Sequence, residues 1–195
     1  MKTRFKILLV LILLAILGAG ALFLILGGLA SKDRVGPFEF GESALTTGTI
    51  LGEGYSTFTH PERGFSIELP KDLEVHAYTE GEGAETIILQ RESDAGVSVE
   101  QKQGFQVYIT PYEPEEPVSV ITPQIINRDV PGTVVEDPQV AVLGDGTEAL
   151  LFWGNADGIG KTREVWIIHD GYLYEITTYA HLDTWLAHLM TSWRF

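Results

Sequence analysis

Residues 7–30 form a run of 24 positions drawn only from Leu, Ile, Val, Ala, Phe and Gly. At the helical rise of about 1.5 Å per residue such a run outspans the ~30 Å hydrocarbon core of a bilayer. A soluble helix needs a polar stripe, and no position in this run supplies one. A transmembrane helix is the expected structure. The apolar stretch of a cleaved signal peptide is shorter, about 7–15 residues. The small-residue pattern Gly28-Leu29-Ala30 shows where processing would otherwise fall. Lys2, Arg4 and Lys6 precede the run and only Lys32 and Arg34 follow it closely. The basic end, residues 1–6, is therefore expected in the cytoplasm, and everything beyond residue 30 outside it, in a single-pass cell-membrane protein.

Removing those five cations and Asp33 from the chain's 13 basic and 27 acidic side chains leaves 8 and 26 beyond residue 34, a net charge of −18. So acidic a surface repels phosphate backbones, which argues against nucleic acid as a partner, while it keeps an exposed domain soluble. The chain has no cysteine. Disulfides, thiolate metal sites, a cysteine nucleophile and a lipid-bearing cysteine are thereby excluded, and stability has to come from packing. The 195 residues allow one core beside the membrane segment.

Residues 31–54 include Gly36, Pro37, Gly41, Gly48, Gly52 and Gly54 without sustained periodicity, as a tether does. Residues 55–195 change to short alternating segments, the pattern of a mainly antiparallel sheet. Phe65, Ile67 and Leu69 alternate with Ser66 and Glu68 before Pro70; Phe105, Val107 and Ile109 alternate with polar neighbours before Pro111. Further strands are expected at residues 85–91, 97–102, 139–143, 147–153, 163–169 and 172–179. In Ala149-Leu150-Leu151-Phe152-Trp153 both faces are apolar, which predicts a central strand covered on both sides. Asp145-Gly146 and Asp170-Gly171 suit tight hairpins, giving a meander. Leu182, Trp185, Leu186, Leu189, Met190 and Trp193 fall at helical spacing with Asp183 available as a cap. Thr122-Pro123 opens a second, short helix that ends near Asp129, before Pro131-Gly132.

Two phrases resemble the PsbP-like family, small α/β/α domains named after an extrinsic protein of photosystem II. One is Phe58-Thr59-His60-Pro61-Glu62-Arg63-Gly64-Phe65-Ser66-Ile67-Glu68-Leu69-Pro70, similar to the family's opening hairpin. The other is Gly171-Tyr172-Leu173-Tyr174-Glu175-Ile176-Thr177-Thr178 with the closing Ser192-Trp193-Arg194-Phe195, similar to its last strand and helix. The resemblance covers residues 55–195 and implies an α+β fold: a mainly antiparallel sheet covered by helices, an α/β/α sandwich, here preceded by one transmembrane helix. The family shares no catalytic motif, so the resemblance carries over no site residues.

The residues offer little chemistry of their own. Gly158-Ile159-Gly160-Lys161-Thr162 resembles the end of a phosphate loop, but Asn155 stands where that motif needs glycine, and a strand rather than a helix follows. A hairpin loop is expected there. His181 and His188 can share a helix flank, with His60, His76 and His169 elsewhere, but no closely spaced zinc motif joins them. No G-x-S-x-G elbow is present. Glu113, Glu115 and Glu116 among prolines, with Glu136, Asp137, Asp145 and Asp157, could give calcium oxygen ligands, but they lack the ordered calcium-loop spacing. Trp153, Trp166, Tyr172 and Tyr174 are expected in the core rather than lining a cleft. No catalytic, cofactor-binding or metal-binding residue is singled out. The expected function is that of a membrane-tethered, extracytoplasmic, non-catalytic binding or accessory domain. It would contact the bilayer through residues 7–30 and possess an envelope protein partner. An envelope hydrolase with a dispersed site and a calcium-responsive surface domain are the alternatives.

Overall fold

The computed structural model describes residues 54–91, 94, 96–114 and 118–195. The expected transmembrane segment, residues 7–30, and all but the last residue of the expected tether lie outside them. Among the described residues no helix is long and apolar enough to cross a membrane.

Strands β1 (Tyr55–Thr59) and β2 (Ser66–Pro70) pair as a hairpin of their own. Then follow β3 (Glu74–Thr79), β4 (Glu85–Gln90) and β5 (Gly104–Pro111), and the short helix α1 (Pro123–Asp129). The chain continues through β6 (Glu136–Val142), β7 (Glu148–Ala156), β8 (Gly160–His169) and β9 (Tyr172–Tyr179) to helix α2 (Asp183–Met190). Strands β3 to β9 make one seven-stranded sheet in the order β3-β4-β5-β9-β8-β7-β6. Every pairing in it is antiparallel. Two meanders, β3 to β5 and β6 to β9, are thus joined where β5 meets β9. The mainly antiparallel sheet with two helices is as the sequence implies.

Apolar alternation decides which face each strand buries. Phe105, Val107 and Ile109 of β5, Val165 and Ile167 of β8 and Ile176 of β9 lie in the larger core, under the β1–β2 hairpin and α2. The opposite face holds a smaller core: Leu150, Phe152, Trp166 and Leu173 beneath Ile121 and Ile126 of the α1 region. Thr122 caps α1 by accepting a hydrogen bond from the Ile125 amide at 3.3 Å, and proline follows at the first turn. The Asp170-Gly171 turn takes φ of 46° and 76°, the left-handed conformation a two-residue hairpin needs.

Three expectations change, and one strand is added. Strand β7 is buried on both faces, as its sequence demands, but it is next to the β6 edge rather than central. Residues 97–102 are not a strand: a 3-10 turn, Val99–Gln101, occupies them, and the Asp94 carboxylate accepts the Gln103 amide at 2.7 Å to hold the loop. Strand β3 had no counterpart in the sequence reading, because all six of its residues are exposed and leave no apolar period. Asp183 is not the cap of α2. Leu182 takes the cap position, and Asp183 instead faces Arg163 of β8, Nε to Oδ1 2.8 Å, both side chains almost fully buried.

Candidate functional site

The β8–β9 register sets Glu164 opposite Thr177 and Trp166 opposite Glu175, and the β5–β9 register sets Gln106 opposite Thr177 and Tyr108 opposite Glu175. Cross-strand partners share a face, so these six side chains form one patch beside the smaller core. The patch has an unusual charge for the middle of a sheet. Glu164 is 8% exposed and accepts from Thr162 Oγ1 at 2.6 Å, Thr177 Oγ1 at 2.7 Å and Trp166 Nε1 at 3.4 Å. Burial still outweighs these donors and pushes its pKa up.

Glu175, on the central strand, keeps part of its surface accessible. Burial first, and the charge of Glu164 second, push its pKa from 4.5 up to about 8. Burial and then the Glu175 charge raise the Tyr108 hydroxyl to about 12. Burial thus favours a proton on this carboxylate pair near neutrality, and Glu164 has its oxygens committed to three donors. Glu164 orients the patch, and Glu175 is the group able to offer or release a proton.

This patch continues into the uncovered part of the same face. Register places Thr86 and Ile88 of β4 next to Tyr108 and Gln106, and Tyr78 and His76 of β3 beyond them. Gln106, Tyr108 and Ile88 are partly accessible, and Tyr78 is 52% exposed. Helix α1 packs over the β7–β8–β9 side, and its Asp129 accepts from the Tyr112 hydroxyl, just past the end of β5, at 3.3 Å. Separately, an open cleft of about 700 Å³ lies at the end of the sheet, lined by Tyr112, Val142, Glu148, Ile168, His169 and Asp170 among others. It is remote from the carboxylate pair in the register, and none of its charged side chains is buried. The chemistry concentrates on the face, not in the cleft.

The residues weighed in the sequence are dispersed. His60 is buried; its Nδ1 accepts the Arg63 amide at 3.0 Å and the Glu62 amide at 3.2 Å, so its Nε2 donates to Glu85 at 2.9 Å. One ring nitrogen holds the turn of the hairpin and the other ties the hairpin to β4. His181 bonds the Lys102 carbonyl at 3.0 Å, His169 stacks on Phe195 and His76 lies 3.3 Å from Glu74. His188 meets the Tyr55 ring edge-on. No group of three or more such side chains able to hold a metal occurs among the described residues. Asp145 accepts the amides of Thr147 and Phe195, Glu136 reaches Lys161 at 3.4 Å, and Asp157 stands in the β7–β8 turn. Glu115 and Glu116 lie outside the described residues. Trp153, Trp166 and Tyr174 are core residues as expected, whereas Tyr172 is half-buried with the Arg63 guanidinium 3.9 Å above its ring. The region from β7 to β8 is a hairpin, with no helix following Lys161. Glu164 and Glu175 belong to no motif in the sequence. The available signal was an acid inside each of two strands whose alternation left no solvent face for it.

No protein-family model matches the chain, and no curated protein matches it. Among solved structures, the solution structure of cyanobacterial PsbP from Synechocystis sp. PCC 6803 is similar, with a TM-score of 0.49 and 12% identity over 86% of this chain and 99% of that one. At that identity and TM-score the likeness brings no ligand, partner or activity with it.

Proposed function

We propose that the chain is a membrane-tethered, extracytoplasmic binding or accessory domain that meets an envelope protein partner through the half-open face of its sheet. The observation that supports this best is the division of that face. One half is sealed by α1, and the other presents Gln106, Tyr108, Ile88 and the proton-holding Glu175 with no helix over them among the described residues. Aromatic and amide side chains on a rigid strand platform suit protein recognition. The apolar run at residues 7–30 supports the tether, and the preceding cations support the orientation.

The test places a photo-crosslinking side chain at Gln106 or, as control, at exposed Thr184 of α2, in the full-length chain in native membranes. Position 106 should give a discrete adduct that Glu175→Arg abolishes, and position 184 should not. Equal labelling from both positions would refute the face, and release of the chain by alkaline carbonate would refute the tether. A carboxyl group protonated near neutrality also meets the requirement of a general acid, so an envelope hydrolase is the second reading. Hydrolysis of a glycoside or phosphate ester that disappears in Glu175→Gln would establish it instead.

A further inference from the structure

We propose that β3 is a docking edge that accepts an extended basic peptide segment as an eighth strand of the sheet. A sheet edge offers unpaired amides and carbonyls, and proteins usually blunt such edges with proline, bulges or a covering element. The β6 edge is blunted: Pro138 follows Asp137 at φ 49°, and the register shifts between Glu136 and Gln139. The β3 edge is not. Its six residues pair with β4 without a shift, contain no proline or lysine, and are all exposed.

The hydrogen-bond phase of β3 identifies the groups on offer. The Glu80 amide donates to the Ala84 carbonyl at 2.8 Å, and antiparallel pairing alternates from that point. Tyr78, His76 and Glu74 therefore bond inward to β4, and the amides and carbonyls of Val75, Ala77 and Thr79 point away from the sheet. These groups specify a strand as occupant. Side chains specify its composition. Glu74, His76 and Tyr78 line one face of the edge, with Glu80 and Glu82 just beyond, and Val75 and Ala77 line the other. An incoming strand with Lys or Arg at alternate positions and apolar residues between them would match both faces. A second copy would bring another net −18 to the same place, which disfavours self-pairing. Tyr78 and His76 border the face of Gln106 and Glu175, but the outward amides and carbonyls belong to β3 alone, so this inference stands whether or not that face binds a partner.

The experiment follows fluorescence anisotropy of labelled acetyl-Lys-Val-Lys-Val-Lys-Val-amide with the full-length chain in uncharged detergent. Saturable binding is expected, and it should weaken about tenfold or more when glutamate replaces lysine in the peptide or when every peptide amide is N-methylated. Ala77→Pro should cause a similar loss at an unchanged unfolding midpoint, because the proline removes an outward amide and none of the β3–β4 bonds. Should that variant not fold, the N-methylated peptide decides alone. The proposal is overturned if Ala77→Pro, the glutamate peptide or the methylated peptide binds like its parent, or if the full chain does not bind. It is equally overturned if binding requires deletion of residues 31–53, which would make the tether the occupant, or if Ala77→Pro converts a dimer to a monomer, which would make a second copy the occupant.

Discussion

Glu175 and Arg163 show how much a single side chain can depend on its surroundings in this fold. Arg163 and Asp183 are nearly fully buried and face each other across the β8–α2 contact, so each has its charge compensated by the other. Glu175 has no such cation among the described residues, and burial, then the charge of Glu164, pushes its pKa from 4.5 up to about 8. Over that window the folded chain binds more protons than the unfolded one. Its contribution to stability is therefore complete below about pH 4.5 and is lost as pH rises through about 8. Unfolding by denaturant should give a higher midpoint at pH 5 than at pH 9, with a difference on the order of a few kcal/mol as an upper bound. Glu175→Gln should flatten most of that slope; a variant with the parent's full decline would show that the proton resides elsewhere.

At the scale of elements, close approach governs the β4–β5 pairing. A Cβ on Gly104 would collide with the Leu89 backbone carbonyl oxygen, and the Gly104 carbonyl itself accepts from Thr178 Oγ1 at 2.6 Å. Gly104→Ala should therefore part the two strands and cost about 1–3 kcal/mol in equilibrium unfolding. Gly81→Ala, with open space around it, should be nearly neutral by the same measurement. Elements with an internal period were legible in the sequence: Phe105, Val107 and Ile109 mark β5, and Thr122-Pro123 marks α1. Strand β3 was not, since it buries no side chain and exists because β4 presents it with hydrogen-bonding groups. Residues 97–102 misled because Val97 and Val99 imitate an alternation that local 3-10 bonds override.

Across the whole molecule, the end of the chain closes the beginning of the domain. Ser66 and Arg194 exchange amide–carbonyl bonds at 2.8 and 3.0 Å, and the Trp193 ring stacks on Phe65 with centroids 4.4 Å apart. Trp193 is completely buried. Trp193→Ala should cost about 3–5 kcal/mol and lower the melting temperature of the whole domain in one transition, because it removes the ring that joins hairpin, sheet and α2. Two transitions, or a loss confined to the hairpin, would contradict a single cooperative core. The amino-acid sequence by itself determined what neighbouring residues dictate: the Asp-Gly hairpins, the buried face of each periodic strand, the cap of α1, and an apolar run long enough for a bilayer. Tertiary structure alone decided that Asp183 pairs with Arg163, that burial beside Glu164 raises the pKa of Glu175, and that β3 is an edge strand of the described sheet. Each of those depends on strand order, which joins β5 to β9 and sets side chains far apart in the chain within one low-dielectric interior, where charge and hydrogen bonding count for most.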